Sequence, residues 1–385
     1  MISSKYFKCF TGMIILVVLI FGFNLNSFSQ FESKAGSAIL LESSTGKVLY
    51  EKNADIPLPP ASITKVMTLL IGLEALDQGT VKWDDLVTVS EKAWRMEGSK
   101  MFLHVGDKVK FGDIMTGISV VSANDGCVAL AEHLFGSEDA FVQVMNQRAR
   151  EIGMTNSTFK NSSGMPSEGH VMSARDIAIL ANYVIQNHPR ILELESQREF
   201  TYNNIRQFNR NPLLGAFEGA DGLKTGWTNE AGYCLVGTAE QDGIRMISVV
   251  LNTQNERERA DASQELLTYG FRNFKIVDIM TSGEIVEVVN VKNGPEQTVP
   301  VKVDNSISVL VPITREKDLQ IVITKDIDTI NAPVLKDTRI GKLEIQLDDE
   351  VLASSEISTS EDVPRIGFFR IIGRGISNFF RFFSK

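Results

Sequence analysis

Ser62 and Lys65 stand three residues apart at the start of an apolar, helix-patterned run. That spacing puts both side chains on one helical face, so the amine can reach the hydroxyl and take its proton. A serine hydroxyl is a poor nucleophile until a base within hydrogen-bond reach activates it. Lys65 serves as that base when its amine is neutral, a state that partial burial and nearby positive charge both favour. Further along, Ser122-Ala123-Asn124 offers a second hydroxyl and an amide, and Lys224-Thr225-Gly226 offers a second amine. Lys224 can supply the charge that lowers the Lys65 pKa and can also bind an anionic group of a substrate. Pro59-Pro60-Ala61 sets Ser62 at a helix N-terminus, where backbone N–H groups and the helix dipole stabilise an oxyanion. The chemistry that follows is acyl transfer through a serine ester. Each of the three motifs is common alone; in this order, with the first opening a helix and the third preceding a strand, they read as one site.

The elements around the motifs support that reading. Ala38–Leu41 and Val48–Tyr50 flank a Ser/Thr/Gly turn at Gly46 and predict a hairpin. A helical pattern runs from Ile63 to about Leu76, and helices dominate from Val81 to Gln186, including 113–121 and 127–135. Strands return at Gly232–Ala239 and Ile244–Leu251, followed by a helix over 258–271. Strands at both ends with helices between them predict an α/β (α+β) domain: an antiparallel sheet backed by helices, plus an all-helical subdomain. From about Val277 the texture changes to short alternating segments at 285–291, 299–303, 307–311, 319–323 and 343–347. These predict a small all-β sandwich domain.

The chain has 385 residues, 43% of them hydrophobic, enough for two cored domains and tails. A net charge of −9 and a pI near 5.2 argue against a nucleic-acid partner. Four histidines, none at ligand spacing, predict no metal site, and no cofactor is expected. His170 and His188 read as ordinary loop or surface residues. Cys127 and Cys234 each lie inside an apolar run, which favours buried free thiols over a bridge.

The two ends read as sorting segments. Lys5 and Lys8 precede an apolar run from Met13 to Phe23, too short for the roughly 20 residues that span a bilayer. Ser27 and Ser29 follow in a small-residue cleavage pattern, so residues 1–29 read as a signal peptide of an exported protein. The Ser- and Glu-rich stretch from 354 to about 364 reads as a linker. In the segment 365–385, Arg370, Arg374, Arg381 and Lys385 fall on one helical side. Phe368, Ile372, Ile376, Phe379, Phe380 and Phe383 fall on the other. That pattern predicts an amphipathic helix lying on an anionic membrane surface. The expected organisation is therefore 1–29 signal, 30–274 catalytic domain, 275–353 β domain, 354–364 linker and 365–385 anchor.

The motifs resemble those of a known family. Ser-x-x-Lys, Ser-x-Asn and Lys-Thr-Gly in this order are the signature of penicillin-binding proteins and class A β-lactamases. The chain is similar to low-molecular-mass penicillin-binding proteins, specifically D-alanyl-D-alanine carboxypeptidases with a second β domain and a C-terminal amphipathic anchor. The likeness extends through Pro60–Thr68, Ser122–Ala131, Asp221–Gly226, Ala231–Val236 and Leu266–Phe271. It implies a serine β-lactamase/transpeptidase-like fold, with Ser62 as nucleophile and Lys65 as its base. It implies that Ser122 and Asn124 relay protons and hold the substrate amide, and that Lys224 and Thr225, beside Gly226, bind near the terminal carboxylate. The oxyanion hole would be the N–H groups of Ser62 and Trp227, and Arg259, with Arg257 as its near neighbour, would face the substrate carboxylate. The implied substrates are peptidoglycan stem peptides, with β-lactams as inhibitors, on the periplasmic side of the bacterial inner membrane. Three positions depart from the pattern: Ala123 replaces glycine, Trp227 replaces histidine, and Asn161-Ser162-Ser163-Gly164 replaces Asn-Pro-His-Gly. The alternatives are a D,D-endopeptidase of cross-links and a non-catalytic penicillin-binding wall protein. A β-lactamase is disfavoured because Thr155–Ser173 holds no Glu-x-x-Leu-Asn element, and Glu168 lacks that context.

Overall fold

The computed structural model describes residues 31–367. The predicted signal segment and all but the start of the predicted amphipathic anchor lie outside the described residues. Among those described, no helix is long and apolar enough to cross a membrane.

The predicted hairpin forms from Ser37–Glu42 and Val48–Lys52, with Gly46 in the left-handed region at φ +69°. Ser37–Glu42 pairs on its other side with Ile244–Thr253, which pairs with Gly232–Gln241. The far edge of that strand takes both Ala220–Gly222 and Thr225–Thr228, and every pairing is antiparallel. Cys234–Ala239 and Met246–Leu251 are buried without a break, which requires cover on both faces of the sheet. Helices Glu256–Asn273 and Ala174–Asn187 pack against these strands. Two chain-distant segments thus meet in one sheet, and the helical insertion between them carries the first two motifs.

A short 3-10 turn, Ala61–Thr64, leads into the helix Lys65–Asp77. Every residue from Lys65 to Leu73 is buried, so this helix is the centre of the domain rather than an amphipathic surface element. Gly72 makes room for the neighbouring helix Phe111–Val120: a Cβ there would lie 2.6 Å from the Met115 sulfur. The helix Asn124–Phe135 completes the middle layer, and Gly136 ends it in the left-handed conformation at φ +76°.

The second domain holds a six-stranded sheet in the order Gln320–Lys325, Arg339–Leu347, Glu350–Thr359, Thr298–Val303, Ile285–Lys292, Thr329–Asn331. A two-stranded sheet, Phe274–Met280 with Ile307–Pro312, lies over it. Val309 and Val311 of the small sheet share one core with Val299, Val301, Leu343 and Ile357 of the large one. The predicted sandwich is therefore present, with additional strands at 274–280 and 329–331.

Two expectations are corrected here. Residues 354–359, read as the start of a linker, are the inner half of the strand Glu350–Thr359, paired with Arg339–Leu347 on one side and Thr298–Val303 on the other. Their buried polar side chains are individually satisfied: Ser358 Oγ donates to Asp304 at 2.5 Å, Thr359 Oγ1 donates to the Leu335 carbonyl at 2.7 Å, and Ser355 Oγ accepts from the Asn305 N–H at 3.0 Å. His170, read as an ordinary loop residue, is buried. Its Nδ1 accepts the Lys160 N–H at 3.3 Å, so Nε2 carries the proton and donates to Thr64 Oγ1 at 2.9 Å. Cys127 and Cys234 are free and buried.

Candidate active site

In the 3-10 turn, side chains three residues apart eclipse, and Lys65 Nζ lies 2.8 Å from Ser62 Oγ. The predicted pairing thus arises from a tighter turn than the α-helix expected at Ser62. Lys65 is wholly buried, and its Nζ also donates to the Ser163 carbonyl at 2.5 Å. Burial first, then the charges of Lys224 and Arg210, push its pKa from 10.5 down to about 7, against opposing contributions from Cys127 and Asp125. A lysine titrating there supplies a neutral amine at physiological pH.

The Ser163 carbonyl is held by a built turn. Asn161 Oδ1 accepts the N–H groups of Ser163, Gly164 and Met165 at 3.2, 2.7 and 3.1 Å. Ser162 donates its N–H and its hydroxyl to Glu138 at 3.0 and 2.7 Å, and Glu138 is itself paired with Lys92 at 2.8 Å. Thr68 Oγ1 holds the Ser162 carbonyl at 2.6 Å. Gly164 sits at φ +83°, and a Cβ there would lie 1.8 Å from the Ala61 carbonyl oxygen. This segment departs in sequence from its family counterpart, yet it presses on the serine turn and holds the Lys65 amine.

Ser122 occupies the left-handed region at φ +63°, and its buried hydroxyl has no hydrogen-bond partner. A strained residue with a vacant donor beside a lysine–serine pair is poised for a ligand. Ala123, at φ −64°, has no need of the glycine it replaces. Asn124 Nδ2 donates to the Glu97 carbonyl at 2.6 Å. The next residue, Asp125, accepts the Met101 and Leu103 N–H groups at 3.0 and 3.1 Å, which ties the 97–103 segment to the site.

The third motif closes the opposite wall. Thr225–Thr228 pairs with Gly232–Gln241 in the register Thr225↔Leu235 to Thr228↔Gly232. A Cβ on Gly226 would lie 3.1 Å from the Ser62 nitrogen and 3.0 Å from the Pro60 carbonyl, so glycine lets this strand edge approach the nucleophile's backbone. Lys224 is buried, with its Nζ donating to the Thr225 carbonyl at 3.3 Å. Burial lowers its pKa, and the Glu195 carboxylate opposes that shift. Trp227 is exposed at the rim, its ring 5.9 Å from that of Tyr233.

A cleft of about 680 Å³ joins these walls, lined by Ser62, Ser122, Asn124, Thr225, Trp227 and Arg259 among others. Arg259 is 5% exposed, its guanidinium 5.7 Å from the Tyr233 ring centre and its Nε without a partner. Arg257 lies in solvent, its side chain 91% exposed and 3.7 Å from Asp261. Arg210 also lines the cleft and donates to Ser99 Oγ at 2.9 Å. Nothing in the Asn-Arg-Asn context of Arg210 marks it in the sequence. The Ser163 carbonyl is equally silent there, because a backbone group leaves no residue signature.

Comparison with known proteins agrees with this arrangement. Residues 24–255 match the family model described as D-alanyl-D-alanine carboxypeptidase, and residues 274–365 match that of the penicillin-binding protein 5 C-terminal domain. The D-alanyl-D-alanine carboxypeptidase DacF of Bacillus subtilis is 36% identical over 368 residues, 92% of each chain. The crystal structure of penicillin binding protein 5 from Haemophilus influenzae superposes with a TM-score of 0.76 at 33% identity, covering 87% of this chain and 99% of that one. Penicillin-binding protein D2 of Listeria monocytogenes, in its ampicillin-bound form, gives 0.58 at 33% identity over 63% of this chain and 99% of its own. Both domains match over nearly their full length, and the chain belongs to the D-alanyl-D-alanine carboxypeptidase family of penicillin-binding serine hydrolases.

Proposed function

We propose that Ser62 carries out the family's reaction on peptidoglycan stem pentapeptides. The neutral Lys65 amine takes the Ser62 proton as Oγ bonds to the carbonyl carbon between the two terminal D-alanines. The oxyanion is held by the N–H groups of Ser62 and Trp227. Ser122, with its vacant hydroxyl, passes the proton to the departing amine, the C–N bond breaks, and the last D-alanine leaves. Asn124 holds the substrate amide, Lys224 and Thr225 bind near the terminal carboxylate, and Arg259 faces that carboxylate from the end of the cleft. Water then attacks the ester and releases the trimmed peptide. β-Lactams acylate the same serine.

The observation that carries this reading is the 2.8 Å approach of Lys65 Nζ to Ser62 Oγ at a cleft whose wall holds Arg210 and the buried Arg259. Arg259, rather than the exposed Arg257, is favoured by its place in the cleft wall. Trimming removes the donor peptide needed for cross-linking, so the enzyme limits cross-links. We place it on the periplasmic side of the inner membrane, exported through residues 1–29 and held peripherally by 365–385.

The test is release of free D-alanine from a diacyl-Lys-D-Ala-D-Ala tripeptide, with Ser62→Ala as control. Serine-dependent release is expected. Labelling of Ser62 by a fluorescent penicillin without release would move the assignment to an endopeptidase or a non-catalytic binder. Deleting 365–385 is expected to free the protein from membranes while activity persists; retained membrane binding would point to an uncleaved N-terminus.

A further inference from the structure

Glu195, the last residue of the short helix Arg190–Glu195, is 1% exposed and takes no part in the steps above. Neither of its carboxylate oxygens meets full hydrogen-bond geometry with a partner, and the buried Ser119 hydroxyl is the polar group that faces it and favours its ionised form. A buried carboxylate without a partner is among the most costly groups a fold can hold. The cost calls for a compensating charge, and the charge nearest in effect is Lys224.

The packing brings the two together. The Glu195 side chain lies against the strand leading into the third motif, its Cβ 3.5 Å from where a Gly222 Cβ would stand. Lys224 follows two residues later, itself buried, with one long bond to a neighbouring carbonyl. The remaining charges around Lys224 are Arg210 and Arg259, both repulsive, and the Cys127 thiol, which burial keeps protonated by pushing its pKa up to about 12. Lys65 stands beyond, repelled by the same cluster. Among the described residues, Glu195 is therefore the buried carboxylate that offsets these repulsions at Lys224, while Asp125 acts on Lys65.

We propose that Glu195 is the internal counter-ion of Lys224, a positioning residue that keeps the third-motif amine protonated and directed at the cleft. The proposal rests on the serine acyl-transfer reading of the site. Lys224 recognises an anionic substrate group only while charged, and burial beside two guanidinium groups works against that charge. The Glu195 carboxylate restores it from behind, out of contact with substrate. Burial pushes the Glu195 carboxyl up to about 8, and the Lys224 charge holds it below where burial alone would leave it, so the carboxylate supports Lys224 on the alkaline side, where the amine would otherwise lose its proton.

The experiment compares wild type, Glu195→Gln and Glu195→Asp in the full chain. The pH dependence is measured both for D-alanine release and for the second-order rate of acylation by a fluorescent penicillin. Glu195→Gln keeps the shape and removes the charge, so the Lys224 pKa falls and the alkaline limb of both profiles moves to lower pH by about one unit. The expected loss is about tenfold on that limb and under twofold on the acid side, seen in KM more than in kcat. Glu195→Asp restores at least half of the shift. A Glu195→Gln profile that superimposes on wild type overturns the proposal. So does a uniform loss at every pH with a lowered melting temperature, or an Asp variant as shifted as the Gln variant; each assigns Glu195 to packing alone. Should wild type release no D-alanine, the carboxypeptidase reading falls, and the acylation profiles alone still decide the role of Glu195.

Discussion

Replacing the proposed base, Lys65→Met, is expected to abolish acylation and at the same time to stabilise the catalytic domain near neutral pH. Lys65 titrates near 10.5 in an unfolded chain and at about 7 in its buried site. Between those values the unfolded chain binds more protons than the folded one, so the lysine's contribution to stability rises with pH and is at its worst at and below 7. The shift amounts to a penalty of about 4 kcal/mol at pH 7, falling to about 1.5 kcal/mol near pH 9.5. Methionine has a similar length and no charge. The variant forfeits the bonds to Ser62 Oγ and the Ser163 carbonyl, together roughly 2 kcal/mol. The net expectation is a gain of about 2 kcal/mol at pH 7 that vanishes near pH 9.5. All three tryptophans, Trp83, Trp94 and Trp227, lie in the first domain. Urea unfolding followed by tryptophan fluorescence therefore reports on that domain alone. The decisive quantity is the change in the variant-minus-wild-type difference between the two pH values, expected at roughly 2 kcal/mol. A difference that stays constant with pH would refute the buried, half-neutral lysine and with it the proposed base.

Other perturbations bear on separate parts of the site. Arg259→Ala should lower kcat/KM by about 10- to 100-fold for a peptide ending in a carboxylate and far less for its amide, with Arg257→Ala within about twofold of wild type; equal effects of the two would misplace the carboxylate. Gly164→Ala forces a Cβ into the Ala61 carbonyl at a strained φ and should cost about 2–3 kcal/mol and slow acylation; unchanged acylation would separate that turn from Lys65. His170 is held near a pKa of about 4, by burial first and then by Lys160 and Lys65. A histidine depressed from 6.5 stabilises the neutral-pH fold and surrenders up to about 3 kcal/mol as pH falls from 6.5 to 4. His170→Gln should flatten that acid limb, and an unaltered slope in urea melts at pH 4.5 and 7 would exclude it as the cause.

Short-range geometry explains which parts of this site could be read in advance. Ser62 and Lys65 are neighbours in any helical turn, so their pairing survives the change from α to 3-10. Continuous apolar runs likewise revealed the strands at 232–239 and 244–251, because both are buried through their middles. Glu195, Arg210 and the Ser163 carbonyl reach the site only through the tertiary fold, and their local sequence carries no mark of it. The strand 350–359 was hidden for a different reason. Its buried Ser355, Ser358 and Thr359 each find a specific partner, so a composition typical of solvated chain sits inside a sheet. His170 is the same case on a smaller scale: two hydrogen bonds make a polar ring suitable for the interior.

The strand Glu350–Thr359 is the last of the second domain in sequence, yet it lies between Arg339–Leu347 and Thr298–Val303 in the large sheet. Assembly of that domain therefore cannot proceed outward as the chain emerges. A nascent polypeptide halted before residue 350 holds two sheet fragments with open edges and no strand to pair them. Completion is a single event, triggered by the final segment slotting into the gap. Interrupted synthesis or proteolytic nicking just upstream would leave both edges bare and open to strands of other molecules. The order of strands places completion of this sheet after the synthesis of Thr359.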